Sequence, residues 1–178
     1  MKHVRPPPPD PLPYTWPQPP FRIGLVEPEI PPNTGNIARL CAATGSPLHL
    51  VEPLGFQLDN RALRRAGLDY WDGVDMTRHP SLDAFLSALA PARFFFFSTR
   101  GRHLYTSVRY RPGDVLVFGS ESRGLPEPLL AAHEAQALLI PVRAEGVRSL
   151  NLATAVGIVL YEALRQQAEP GASTIVKG

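Results

Sequence analysis

Three polar segments of this 178-residue chain hold the residue types that could act on a bound ligand. The first, E-P-E-I-P-P-N-T-G-N-I-A-R over residues 27–39, sets Asn33, Asn36 and Arg39 at three-residue intervals. On a helix that spacing predicts one face carrying two amides and a guanidinium, a grip for a ribose or a phosphate. The same residues also read as a capping Asn33 and a solvated Arg39. The second segment, F-G-S-E-S-R-G-L-P over residues 118–126, projects Glu121 and Arg123 between Gly119 and Gly124. Those glycines allow a backbone to approach a ligand closely, and they equally suit a tight turn. The third, I-P-V-R-A-E-G-V-R-S-L-N-L over residues 140–152, runs a polar loop straight into an apolar helix. Ser149 is expected to cap that helix with Asn151 in its first turn, so that free backbone N–H groups face a ligand.

Familiar catalytic patterns do not describe these segments. Residues 118–126 have neither the spacing of a phosphate-binding P-loop nor the glycine fingerprint of a dinucleotide fold. Ser120 and Ser122 do not stand in a G-x-S-x-G nucleophile elbow. His3, His49, His79, His103 and His133 are scattered, and none pairs with Cys41 at metal-ligand spacing, so no metal is expected.

The elements that must position these residues alternate. Apolar runs at 21–26, 48–51, 93–98, 114–119 and 137–141, with a short extended piece at 74–76, read as strands. Between them, helices are expected over residues 33–44, closed by Gly45, 60–66, 82–90, capped by Ser81, and 127–133, with a final helix from residue 150. The connection 99–113 reads as irregular. Four consecutive phenylalanines, Phe94 to Phe97, suit a strand buried on both faces. Strands alternating with helices predict a mostly parallel α/β sheet, whose ligands gather beyond the carboxyl ends of the strands. In the final helix only Asn151 and Thr154 are clearly polar between residues 150 and 160, too few for a helix with one face in water. Part of its cover is therefore expected from a second copy of the chain.

Composition sets wider bounds. The length fits one domain, 44% hydrophobic and 19% charged residues are globular values, and no apolar run is long enough for a membrane span. One cysteine, Cys41, permits no internal disulfide, and with no secretory signal this suits the cytoplasm. A net charge of +2 permits RNA binding without demanding it, and 16 of the 18 basic residues are arginine, which favours forked phosphate contacts or reflects an arginine-rich proteome. Residues 1–20 contain nine prolines and read as a flexible or polyproline-like arm, leaving residues 21–178 as a single domain.

In the order and spacing of the three segments, the chain resembles the SPOUT class of RNA methyltransferases, most closely the tRNA 2′-O-methyltransferases that act on the wobble nucleotide, cytidine or modified uridine, of leucine tRNAs. The resemblance runs from Phe21 to Gly171 and includes L-R-R-A-G-L-D-Y over residues 63–70 and the ending Y-E-A-L-R-Q. It implies an α/β fold with a C-terminal deep trefoil knot, an exception to the usual rule against knots. It further implies a homodimer and S-adenosylmethionine held around Phe97, Gly119, Ile140 and Ser149, with S-adenosylhomocysteine as product. By the same resemblance Arg39 is the catalytic arginine, while Asn33, Glu121 and Asn151 order the site. Arg61, Arg64 and Arg65 would meet phosphates of a tRNA anticodon stem-loop, and Tyr161 would reach RNA across the dimer or serve as a core tyrosine. A related 2′-O-methyltransferase for another tRNA site or ribosomal RNA, and a non-catalytic RNA-binding protein of this fold, are the alternatives. A nicotinamide enzyme is a third, against which the absent glycine fingerprint counts.

Overall fold

The computed structural model describes residues 14–57, 73–143 and 145–168. The helix expected over residues 60–66, with Arg61, Arg64 and Arg65, lies outside the described residues. Regular structure begins with β1 (Arg22–Val26) and continues through α1 (Pro31–Thr44), β2 (Leu48–Val51), β3 (Met76–His79) and α2 (Leu82–Leu89). There follow β4 (Phe94–Phe97), β5 (His103–Leu104), β6 (Val115–Phe118), α3 (Glu127–Ala132), a single 3-10 turn (Glu134–Gln136), β7 (Ala137–Leu139) and α4 (Leu152–Gln167).

The strands form one seven-stranded sheet in the order β3-β2-β1-β6-β4-β7-β5, with every pairing parallel, as the alternating pattern predicts. Helices cover both faces. On one, Ile23, Leu25, Phe95, Phe97, Leu116 and Phe118 pack with Ile37 of α1 and Val156, Val159 and Leu160 of α4. On the other, Phe96, Val115 and Val117 pack with Phe85 of α2 and Leu129 and Leu130 of α3. The phenylalanine run thus feeds both cores alternately, because successive strand side chains point to opposite faces.

Local chemistry explains where the elements start and stop, and where expectation and structure part. Helix α1 begins at Pro31, two residues before the expected start, after Ile30 in extended backbone. Proline suits a first helical position, whose N–H has no partner inside the helix. Its end matches the expectation: Gly45 adopts the left-handed conformation with φ 68° and donates its N–H to the Cys41 carbonyl. Ser81 caps α2 as expected, its Oγ accepting from the Ala84 N–H at 3.1 Å.

The head of α4 is different: Asn151, not Ser149, is the cap, its Oδ1 accepting from the N–H groups of Ala153 at 2.9 Å and Thr154 at 3.3 Å. Both residue types cap well. The buried Leu152 decides between them, because the helix must begin where its apolar face meets the core. Strand β3 lies at Met76–His79 rather than 74–76, placed by its register with β2, Leu48 opposite Met76 and Val51 opposite His79. Strand β5 occupies part of the connection read as irregular, and its two residues are both exposed.

Residues 14–20 have no regular structure, yet Tyr14 fastens them to the domain by donating its hydroxyl to the Leu164 carbonyl of α4 at 3.0 Å.

Candidate functional site at the carboxyl edge of the sheet

All the strands are parallel, so the turns that follow β1, β4, β6 and β7 emerge at the same edge. Between them lies a cleft of about 470 Å³, inside the range of sites that hold a small organic ligand. It is lined in part by Phe97, Gly119, Glu121, Ile140, Ser149 and Asn151. Every position expected from the resemblance to hold S-adenosylmethionine is on its wall, together with Asn33. Phe97 and Phe118, with rings stacked 4.8 Å apart, and Ile140 and Leu152 make one part apolar. Backbone of the glycine turn and the polar loop makes the rest.

The turn 119–124 follows β6 and is closed on itself. Gly124 donates its N–H to the Ser120 carbonyl at 2.8 Å, and Gly124 has φ 68°. A Cβ on Gly119 would sit 2.0 Å from the carbonyl carbon of Gly124, so only glycine lets the turn fold back this tightly.

A chain of hydrogen bonds ties the three polar segments together. Glu121 accepts through Oε2 from the Glu29 N–H at 2.7 Å, and through Oε1 from the Ile30 N–H at 3.2 Å and from Asn33 Nδ2 at 2.9 Å. Asn33 Oδ1 accepts from Asn151 Nδ2 at 2.9 Å, and Asn151 Oδ1 caps α4. The Glu121 carboxylate therefore sits at the head of α1, where the helix dipole favours negative charge. With three donors already on Glu121, it is an organiser of the cleft rather than a spare base.

Asn36 and Arg39 do not share the face of Asn33. Asn33 is buried against the cleft, whereas Asn36 and Arg39 are exposed and do not line it. The single face expected from their spacing fails because an α-helix turns about 100° per residue, which carries Arg39 roughly 120° round the axis from Asn33. Tyr161, on the outer side of α4, is 54% exposed and so is not a core tyrosine within one chain.

Other residues of the cleft were not singled out from the sequence. Ser98, Thr99 and Arg100, after β4, and Arg148, in the loop before α4, all line it. Arg100 is held by donating to the Leu125 carbonyl at 2.7 Å and by an ion pair with Glu127. Glu29 lies behind the wall: its carboxylate accepts from the Ser122 N–H at 3.0 Å and from Ser122 Oγ at 2.7 Å, and these bonds hold it below the usual carboxylate range. Its signal in the sequence was only its place between Val26 and Pro31, since its partner is 93 residues away. Among the described residues no group of three or more His, Cys, Asp or Glu side chains is placed to hold a metal.

A wholly parallel sheet, wound on both faces and opening a ligand-sized cleft at the carboxyl ends of its central strands, defines an α/β ligand-binding domain of the doubly wound kind. The comparison with known proteins makes the class specific. The chain belongs to the SpoU rRNA methylase family, whose model matches residues 20–161, and the resemblance drawn from its three motifs is borne out. It is 52% identical over 153 residues to the tRNA (cytidine(34)-2′-O)-methyltransferase of Escherichia coli K12, a match spanning 85% of this chain and 97% of that protein. A solved structure concerned with 2-OH methylation of C/U34 on tRNA superposes with a TM-score of 0.77 at 54% identity, over 82% of this chain and 95% of that one. The AdoMet-bound rRNA methyltransferase of Sinorhizobium meliloti is a more distant likeness, with a TM-score of 0.72 and 26% identity over 84% of this chain and 57% of its own.

Proposed function

We propose that this protein transfers the methyl group of S-adenosylmethionine to the ribose 2′-hydroxyl of the wobble nucleotide of tRNA. The observation that carries the reading is the cleft itself: the three motif segments converge there through the Glu121–Asn33–Asn151 chain, in a chain 52% identical to a tRNA (cytidine(34)-2′-O)-methyltransferase. The identity to a tRNA enzyme at 52% against 26% to an rRNA enzyme favours tRNA over ribosomal RNA.

The cleft suits the cofactor in chemistry as well as size. Phe97, Ile140 and Leu152 offer apolar surface to a base, and the turn 119–124 and Ser149 offer backbone and hydroxyl groups to its polar parts. Bound there, S-adenosylmethionine supplies a methyl group activated by a positively charged sulfur. In the transfer, the ribose 2′-oxygen bonds to the methyl carbon as the carbon–sulfur bond breaks and sulfur keeps its electron pair; the hydroxyl proton passes to solvent. A hydroxyl is a weak nucleophile, so charge developing on its oxygen needs a partner. Arg39 serves that role by orienting the hydroxyl and stabilising the oxygen, since a guanidinium stays protonated. Because Arg39 stands outside the cleft wall, the ribose lies over α1 at the cleft mouth, and Asn33, Glu121 and Asn151 order the wall beneath it.

Two features support the rest of the reading. Strand β7 pairs with both β4 and β5, so it lies in the sheet between two strands that are consecutive in the chain. A Cβ on Gly101, in the link between those two, would come within 2.5 Å of the Leu138 backbone, so the link lies directly across β7. This is the arrangement a trefoil knot requires. On α4, Thr154, Gly157, Ile158 and Tyr161 form a stripe left uncovered or half covered by the chain's own core, and a second copy packed there would make a homodimer with Tyr161 facing RNA. Arg61, Arg64 and Arg65 complete the proposed contact with the anticodon stem-loop, and a tRNA substrate supports a cytoplasmic location.

The test is methyl transfer from labelled S-adenosylmethionine to unmodified leucine tRNA, followed by nucleoside analysis. A 2′-O-methyl group on the wobble ribose is the expected product. Methylation at another nucleotide overturns the substrate, and absence of cofactor binding overturns the activity in favour of an RNA-binding role.

A further inference from the structure

We propose that Glu29 is a positioning residue for the cofactor cleft: its carboxylate and that of Glu121 each hold the other's loop, and this mutual clasp sets the turn 119–124 against the head of α1. The inference rests on the reading that the cleft holds S-adenosylmethionine.

The clasp is reciprocal. Glu121, on the turn after β6, takes the N–H groups of Glu29 and Ile30, on the turn after β1, together with Asn33 Nδ2. Glu29 takes the N–H and Oγ of Ser122 in return. Five hydrogen bonds to carboxylate oxygens thus cross between segments about 90 residues apart, and bonds to an ionised acceptor are the stronger kind. Arg123 lies over the outside, 2.9 Å from Glu27 and 4.0 Å from Glu29, and offsets the acidic charge gathered there.

The turn does not need Glu29 merely to close. The Gly124 N–H reaches the Ser120 carbonyl and the Arg123 N–H reaches Ser120 Oγ within the turn itself. Those bonds fix its base and leave the direction of its tip, Glu121 and Ser122, to the partners across the gap. Both tip residues line the cleft, whereas Glu29 does not. Glu29 has a partly exposed side chain, 31% accessible, and partly exposed polar contacts contribute little to global stability. Its loss should consequently be read in the cleft before it is read in the melting temperature.

The experiment titrates S-adenosylmethionine calorimetrically into the wild type, Glu29→Ala, Glu29→Gln, Ser122→Ala and the Glu29→Ala/Ser122→Ala double variant. Each is also melted, and hydrogen exchange is followed over residues 119–124. Glu29→Ala should raise Kd about tenfold, the scale of losing charge-assisted hydrogen bonds, with the melting temperature nearly unchanged and exchange at Ser122 and Arg123 accelerated. Glu29→Gln should recover most of the affinity, since an amide can accept from the Ser122 N–H and donate to its Oγ. The double variant should bind no more weakly than Glu29→Ala, because both changes break one contact. An unchanged Kd in Glu29→Ala, or a loss that follows the melting temperature and is not recovered by glutamine, overturns the inference. A wild type that does not bind S-adenosylmethionine overturns the cofactor reading instead, and the exchange data then decide the clasp by itself: unaltered exchange in Glu29→Ala refutes it, faster exchange upholds it.

Discussion

Two edges of the parallel sheet treat their polar groups in opposite ways. At the carboxyl edge of β1, β6 and β7, Asn33, Glu121 and Asn151 are joined to one another and to backbone donors, so a charge is kept beside the cleft at little desolvation cost. At the β2–β3 edge, His49 and His79 are buried with one hydrogen bond between them, His49 Nδ1 to His79 Nε2 at 3.1 Å, while His49 Nε2 has no partner. Phe85 packs against both rings. Burial, reinforced by His79 and Arg22, pushes His49 down to about 4, and burial also lowers His79. One region therefore keeps charge by hydrogen bonding it, and the other excludes charge by removing water. A site for chemistry needs the first arrangement; a sheet edge needs only to stay packed.

This contrast can be broken at several points. The largest effect is expected from Arg39→Ala, which stands outside the cleft wall: methyl transfer should fall about 100- to 1,000-fold, the scale of removing one electrostatic partner of a transition state. Binding of S-adenosylmethionine, measured by calorimetry, should persist; unchanged turnover would remove Arg39 from the mechanism. Asn33→Ala cuts the chain that joins the three segments and strips a partner from both Glu121 and Asn151, at a cost of about 1–3 kcal/mol. Here cofactor affinity should fall together with turnover, unlike Arg39→Ala, and equilibrium titration separates the two.

The far edge should respond to pH rather than to ligand. An unfolded histidine titrates near 6.5 and folded His49 near 4, so the unfolded chain binds the extra proton first as pH falls. The stability contributed by the neutral pair is fully present above about pH 6.5 and is lost progressively toward pH 4, by roughly 1–3 kcal/mol. Thermal melts of His49→Leu across that range should be flatter than those of the wild type, whereas Asn33→Ala should keep the wild-type slope. A smaller effect is expected where residues 14–20 meet α4. Tyr14→Phe removes the bond to the Leu164 carbonyl and should cost about 0.5–1.5 kcal/mol in chemical denaturation, with no change in cofactor affinity.

Much of the frame was legible from local pattern. The strand at Leu48–Val51 has the expected bounds, α2 has its expected cap, and α1 ends on its expected glycine. Each depends on residues close in sequence. Boundaries were misplaced where a distant partner decides them: β3 by its register with β2, β5 by pairing with β7, and the head of α4 by burial of Leu152. Among the site residues, Asn33, Gly119, Glu121, Ile140, Ser149 and Asn151 were legible as members of the three motif segments and Phe97 through the family resemblance, and all meet at one cleft. The single face expected for Asn33, Asn36 and Arg39 was not found, because three-residue spacing drifts round a helix. Glu29 was missed because both halves of its clasp are remote in sequence and identical in type, and nothing local distinguishes a carboxylate that holds a loop from one in water.

By itself, the sequence determined the alternation of strands and helices, the two-sided burial of Phe94–Phe97, the glycines that permit tight turns, and the three segments that bear polar groups. These follow from side-chain volume, period and backbone freedom, which act over a few residues. Only the tertiary structure decided that β7 runs between β4 and β5, that Asn33 and Asn151 meet across 118 residues, and that Glu121 takes the Glu29 N–H while Glu29 takes the donors of Ser122. Those outcomes depend on which strands become neighbours, and that choice is made by burying the whole apolar surface at once.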